Sequence, residues 1–538
     1  MRDPPLTRGT PLPSKLFRNA RIHTLTGEEK PAEALLAVDG EIVAIGDDAE
    51  IGALAGPGTI EVDLGGLAVV PGFIDAHIHT ALLAGERGQL DLRGVRSLDE
   101  ALAAIRSHAA GLPAGRGIFW GSWDSNTWAV PVQPDRYSLD RICPDRPVAL
   151  PSIDGHTVWA NSFALAAAGI TAATPDPVGG EIVRDARGEP AGILREEAQR
   201  PLDAVIGAPS VADLVDQLAV EQEHLLAVGL TGVHDIDGED ARAAYLELHR
   251  SGRLRLRVHK AIPAVHLDAA IAEGRYTGQG DDWFQTGPVK LFSDGALGSH
   301  TSHMGEAFVG ESGNRGIEVI PYARLRELVR TAADAGIAVA THAIGDEANH
   351  LVLNAYAESA ELSRAAGLRH RIEHAQHIRW DDLPRFAELG VIPSLQPTHC
   401  TSDIALASTL LAGRDLANYA WRALADSGAH VAFGSDAPVE SPNPMHAVHA
   451  AVTRENAAGE PAGGWEPEQR VTVAEALAAH SAGSAYAAHR DHRQGTLAVG
   501  RLADFVALER DPFEVEPTEL RDLQVATTVV GGEVRFQR

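Results

Sequence analysis

Val69-Val70-Pro71-Gly72-Phe73-Ile74-Asp75-Ala76-His77-Ile78-His79 is an apolar run that closes on two histidines one residue apart. Side chains in a strand alternate with a period of two, so both imidazoles leave the same face. Converging neutral imidazoles suit zinc and similar ions. A histidine pair alone is weak evidence. Its value depends on whether this strand belongs to a fold that gathers ligands at one end.

Working outward, the chain repeats one plan: amphipathic helix, glycine, short β-branched strand. Residues 325–335, Gly336 and Ile337-Ala338-Val339-Ala340-Thr341 show it, as do 383–389 with Gly390 and 422–427 with Gly428. Helices alternating with apolar strands indicate βαβ units and a parallel sheet. Eight strands are expected, at 68–75, 231–235, 254–261, 288–293, 337–342, 371–374, 391–396 and 430–436. Eight such units predict a closed (β/α)8 barrel of the TIM type, with its site at the strands' C-terminal ends. An open doubly wound sheet is the rival, but no glycine-rich phosphate loop follows the first strand.

The two ends read differently. Asp39-Gly40 and Gly531-Gly532 mark hairpins in β-rich segments. Residues 14–70 and 485–538 are therefore expected to build one small β-sandwich, around a barrel at 71–480. About 150 residues separate the first two strands, far more than one crossover helix needs. The interval from 98 to about 229 is expected to hold the crossover together with an inserted cap, and the capping-box spacing Ser97-Leu98-Asp99-Glu100 starts a helix there. Trp120, Trp123, Trp128 and Trp159 concentrate there. They are expected to form the cap's own core, with one or two, Trp123 foremost, facing substrate.

The chain has 538 residues, 44% of them hydrophobic, enough for a large core. Lys and Arg number 46 against 74 Asp and Glu, a net charge of −28. That field repels a phosphate backbone and argues against nucleic acid as the main partner. Two cysteines, Cys143 and Cys400, form no CxxC pair. Residues 1–15 carry no apolar core of a secretory signal, and no run of about 20 apolar residues suggests a membrane span. The expectation is a cytoplasmic enzyme for a small molecule, compatible with a homo-oligomer.

Polar residues recur at the other strand ends: Lys290, His342, Glu373-His374 and Asp436. Each alone reads as a satisfied buried side chain. Their joint placement at the active face favours a metal site. The order HxH, Lys, His, His, Asp resembles the amidohydrolase superfamily with a two-metal centre. More closely, the chain is similar to the YtcJ-like amidohydrolases, a group that includes N-substituted formamide deformylases. The segments that carry this are Val70 to His79, Ile153-Asp-Gly-His156, Lys290-Leu-Phe-Ser-Asp-Gly-Ala-Leu-Gly298, His342-Ala-Ile-Gly-Asp346, Arg371-Ile-Glu-His374, Gly434-Ser-Asp-Ala-Pro-Val439 and Gly500 to Val506. They span almost the whole chain.

The resemblance implies that His77 and His79 bind one divalent ion, zinc by expectation, and His342 and His374 a second. A carboxylated Lys290 would bridge them. Asp436 would bind the first ion and handle a proton while metal-activated hydroxide cleaves a C–N amide-type bond. His156 is a candidate catalytic or oxyanion contact. Trp123, Asp294 and His399 are candidate substrate contacts, His300 a weaker one. Asp294 can also be read, with Asp346 and His234-Asp235, as ordering loops. The alternatives are a one-metal deaminase of a heterocycle, which needs no lysine ligand, and a non-enzymatic interaction protein, which expects missing ligands.

Overall fold

The computed structural model describes residues 14–27, 30–207 and 209–538. Of the N-terminal segment 1–15, residues 1–13 lie outside the described residues. Eight parallel strands form one sheet in sequence order: Phe73–Ile78, Leu230–Asp235, Arg257–Pro263, Phe284–Phe292, Val339–Ala343, Arg371–His374, Ile392–Leu395 and Ala432–Phe433. All but two strand residues at the ends are buried. Burial on both faces explains why these runs are almost continuously apolar.

The last and first strands close the barrel through single contacts. Asp436 N–H donates to His77 O at 2.7 Å, and His79 N–H donates to Ala437 O at 2.9 Å. Asp75 clamps the seam. Its carboxylate accepts from His77 N–H and Ser435 N–H, each at 3.0 Å, and from the Ser435 hydroxyl at 2.6 Å. Gly434 permits the approach, since a Cβ there would lie 2.5 Å from His77 N.

The first strand corrects an expectation. The run at 68–75 is two strands, not one. Ala68–Pro71 pairs antiparallel with Phe505–Leu508 outside the barrel, and Phe73–Ile78 enters the barrel. Pro71 has no N–H for a continuing ladder. Gly72 makes the switch, because a Cβ would lie 2.4 Å from the Thr231 side chain. The final strand is also shorter than 430–436; beyond Phe433 the chain is the loop pinned to His77.

Both termini build the expected β-module. A four-stranded and a five-stranded sheet share the apolar cluster of Phe17, Leu35, Ile42, Val69, Phe505 and Val529. Phe17 and Phe505 meet edge-to-face at 4.8 Å.

Between the first two barrel strands stand the helix Leu98–Gly111, capped by the Ser97 side chain, and an antiparallel sheet of Ala149–Pro151, Thr157–Ala160, Gly180–Arg184 and Pro190–Glu196. Their apolar residues form clusters of their own, with Trp123, Trp128 and Trp159 in one of them. The helix Val211–Ala227 is the crossover part of the interval 98–229. Its Leu214, Leu218 and Leu225 pack into the main core with Tyr245 and Leu248. It is the crossover helix of the barrel, so the insert ends before it. Cys143 and Cys400 are buried free thiols. Among the described residues no helix is long and apolar enough to cross a membrane.

Candidate metal centre

The strand ends deliver their side chains to one point. His77 Nε2 and His79 Nε2 lie 3.4 and 3.5 Å from Asp436 Oδ1. His374 Nδ1 lies 4.0 Å from Asp436 Oδ2. Lys290 Nζ is 3.5 Å from His77 Nε2. The His342 and His374 rings stand 4.5 Å apart, those of His77 and His374 4.9 Å. His77, His374 and Asp436 each offer a ligand atom within 4.8 Å of the others. All six residues singled out as ligands in the sequence therefore come together.

Two of them sit on a backbone that L-residues rarely adopt. His374 has φ +74° and Asp436 φ +58°. Such conformations cost on the order of 1–3 kcal/mol each and persist where the surroundings impose them. Here they turn an imidazole and a carboxylate into the barrel mouth.

Each histidine has one ring nitrogen tethered to an acceptor. His77 Nδ1 donates to Glu373 Oε2 at 2.6 Å, and His79 Nδ1 to Asp237 Oδ1 at 3.0 Å. His374 Nδ1 donates to Gln396 Oε1 at 2.8 Å, and His342 Nε2 to the Gly295 carbonyl at 3.1 Å. A tether on one nitrogen fixes the tautomer and leaves the other nitrogen as a lone-pair donor. Glu373 is itself held by Arg371, at 2.6 Å. In the sequence Glu373 stands out only as a strand-end neighbour of His374, without this role, and Asp237 and Gln396 are not singled out. The available signal was a charged residue inside a buried strand, which demands a partner.

Electrostatics favours the ligand form at three of the four. Burial, reinforced by positive neighbours, pushes the His77, His342 and His374 imidazoles well below their ordinary range. Burial also pushes the Lys290 ammonium down to about 8. His79 goes the other way. Burial opposes its charge, but the Asp237 hydrogen bond and charge prevail and raise it. An ion at His79 therefore competes with a proton for its free nitrogen. Imidazole nitrogens, a carboxylate and a depressed lysine amine, with no thiolate, form a donor set that fits a zinc-type divalent ion.

A cavity of about 860 Å³ opens above this ring. His156 reaches it from the insert, its ring 5.1 Å from His342. Burial opposes a charge on His156, yet Glu196 at 2.9 Å, with Asp154 and Asp294, raises it to about 9. Glu196, also missed in the sequence, has φ +50° and accepts from the Thr301 hydroxyl at 2.6 Å. Gly295 makes room for it, since a Cβ would lie 2.1 Å from Glu196 Oε1.

The remaining candidates divide. His399 lines the cavity, its Nε2 3.8 Å from Asp436 Oδ2. Trp123 reaches the wall while its indole N–H donates to Leu150 O inside the insert's core. His300 lines the cavity, paired with Glu311. Asp294 is a correction: it is fully buried and not on the cavity wall. Its carboxylate accepts from the backbone N–H groups of His303, Ile344 and Gly345, so it ties loops and has no face for substrate. Asp346 likewise accepts from Gly305 N–H and Arg379. Asp235 pairs with Lys260 at 2.9 Å, and His234 meets Arg371 at 2.7 Å.

Residues 61–536 match the Amidohydrolase family. The chain is 32% identical to the Putative amidohydrolase YtcJ of Bacillus subtilis, over 97% of this chain and 99% of that protein. It is 30% identical to the N-substituted formamide deformylase of Arthrobacter pascens, over 97% and 98% respectively. An uncharacterized metal-dependent hydrolase from Pyrococcus furiosus superposes with a TM-score of 0.72 at 30% identity, covering 93% of this chain and all of that one.

Proposed function

This chain belongs to the amidohydrolase family and is a metal-dependent hydrolase; from that premise we propose that it cleaves the C–N bond of an N-acyl or N-formyl amine, using two divalent ions, zinc by preference, and a carboxylated Lys290. One observation carries the reading. Four imidazoles, each tethered through one nitrogen, turn toward a common space shared with Lys290 and Asp436. The formamide-cleaving relative supports the substrate class.

His77, His79 and Asp436 would hold one ion, and His342 and His374 the other. When bound, such ions supply Lewis acidity and lower the pKa of water. Lys290 enters the reaction as its neutral amine, which attacks CO2; an N–C bond forms and one proton leaves, giving a carbamate. Burial favours that neutral amine, helped by Arg371 and prevailing over the opposing charges of Glu373 and Asp436. Asp436 lies within 4.0 Å of four histidines, His77, His79, His374 and His399, and receives a proton at a carboxylate oxygen during attack on the carbonyl. It then delivers that proton to the departing amine nitrogen, which leaves poorly as an anion. His156, oriented by Glu196, is placed to donate to the developing oxyanion.

The test is a hydrolysis screen of the metal-loaded protein against N-formyl amines, N-acyl amines, cyclic amides and esters. Release of free amine from the first or second class, lost on chelation, is the expected result. Cleavage confined to esters, or release of ammonia from heterocycles alone, contradicts the proposal.

A further inference from the structure

The outer cavity wall carries a charge pattern that amide hydrolysis does not need. Asp124, Asp154, Asp403 and Glu440 all line it. None of the four has a Lys, Arg or His nitrogen within 4.0 Å among the described residues, whereas Glu196 and Glu311 nearby are each paired with a histidine. Their partners are neutral. Asp154 accepts from the hydroxyls of Ser152 and Ser299, Asp403 from Tyr419, and Glu440 from Ser402. These groups feel one another: burial first, with repulsion from Glu440 and Asp154, holds the Asp403 carboxyl up at about 6 against the Tyr419 hydrogen bond and the charge of His399. Asp124 is raised by burial and by Asp154.

A second observation points to a ligand. Three buried polar atoms on the same cavity lining have no hydrogen-bond partner: Gln376 Oε1, Thr398 Oγ1 and His399 Nε2. Each belongs to a residue that is 9% exposed or less. Buried polar groups are nearly always paired, so these await a partner from outside the protein. They also link the metal centre to the carboxylates. The helix Pro397–Leu410 carries Thr398 and His399 in its first turn and Asp403 one turn later. One turn rises about 5.4 Å. His399 faces Asp436, and Asp403 follows it by about one helical turn along the same helix.

We infer that the amine half of the substrate carries a second, positively charged nitrogen, seated among Asp154, Asp403 and Glu440, so that the preferred substrates are N-acylated diamines or similar amines with a distal ammonium. The inference rests on the amide-hydrolase reading above and narrows it. A distal ammonium supplies the cationic partner that these hydroxyl-bonded carboxylates lack, and the net charge of −28 draws cations toward the mouth. The cavity's two arginines do not neutralise the patch: Arg195 pairs with Glu181 at 2.7 Å, and Arg521 acts on His446 and His449.

The experiment uses three probes of similar length: N-formylputrescine, N-pentylformamide and N-formyl-γ-aminobutyrate. Their binding to the zinc-loaded full chain carrying Asp436→Asn is measured by calorimetry. N-formylputrescine is expected to bind roughly 10–100-fold more tightly than N-pentylformamide, the scale of hydrogen bonds to charged groups, and the anionic probe weakest. Asp403→Asn combined with Glu440→Gln should erase the difference. Equal binding of charged and neutral probes, preference for the anion, or no binding of N-formylputrescine overturns the inference. Hydrolysis by the unsubstituted holoenzyme is read separately. Charge-selective binding without amine release counts against the amide-hydrolase reading alone, and amine release without charge selection counts against this inference alone.

Discussion

Two pairs of buried histidines lie inside the same barrel, and only one pair belongs to the candidate metal centre. His77 and His374 face each other at the mouth with ring centroids 4.9 Å apart. His234 and His259 face each other deeper in the barrel at the same 4.9 Å separation. Burial pushes all four imidazoles well below their ordinary range. The difference lies in what surrounds them. The mouth pair is tethered by Glu373 and Gln396, stands within 4.0 Å of Asp436 and opens on a cavity of about 860 Å³. The deep pair meets the Arg371 guanidinium, leaves both nitrogens of His259 without a partner and borders a space of only about 20 Å³. Histidine pairing and burial are therefore not enough. An acceptor behind each ring, a carboxylate in front and room for a ligand separate a metal site from a packed polar core.

The contrast is broken most severely at Asp436. Asp436→Asn preserves shape but removes most of the basicity. Steady-state kinetics should show turnover lower by about 10²-fold or more, the usual scale for losing acid–base help. A well-folded, metal-loaded variant with near-parental turnover would refute the role.

Next comes the tether. Glu373→Gln keeps an acceptor for His77 but withdraws the negative charge that Arg371 and His77 share. Metal affinity measured by chelator competition should weaken by about 10–100-fold, as for lost supports of metal ligands. Unchanged affinity would mean that the tether does not matter.

Gly295→Ala probes the cap side. The new Cβ would fall 2.0 Å from Thr301 Oγ1 and 2.1 Å from Glu196 Oε1, so the carboxylate holding His156 must move. Turnover should fall by about tenfold, a fraction of what a fully lost oxyanion donor costs, while bound metal, read by elemental analysis, stays near the parental level. Metal loss in step with activity would place the damage at the His342 tether on the Gly295 carbonyl instead.

The smallest effect is expected in the deep pair. His259→Gln alters a side chain with no hydrogen bond to lose. Metal content and turnover should both stay within about twofold, in line with a residue outside any bonded network. A large loss of metal would erase the distinction between the two pairs.

Much of this was legible in the sequence because ligands sit at strand ends, and strand ends can be read from apolar runs. What escaped has physical reasons. The run at 68–74 carries no polar side chain, so periodicity could not separate the strand in the terminal module from the barrel strand; Pro71-Gly72 was the available clue. The helix Val211–Ala227 shows an amphipathic stripe that fits a cap or a barrel equally, and only its packing on Tyr245 and Leu248 assigns it. Asp294 looked available to substrate because nothing local announces that its acceptors are backbone N–H groups about fifty residues on. Glu373 was in view beside His374, but its partner His77 lies 296 residues away. Glu196 is 40 residues from His156, joined only by the fold of the insert.

Anomalous diffraction at the zinc edge from metal-loaded crystals tests the central claim most directly. The account predicts two peaks inside the ring of His77, His79, His342, His374 and Asp436, with continuous density for a carboxyl group on Lys290 Nζ. A single ordered ion beside an unmodified lysine, or no peak within that ring, would contradict it.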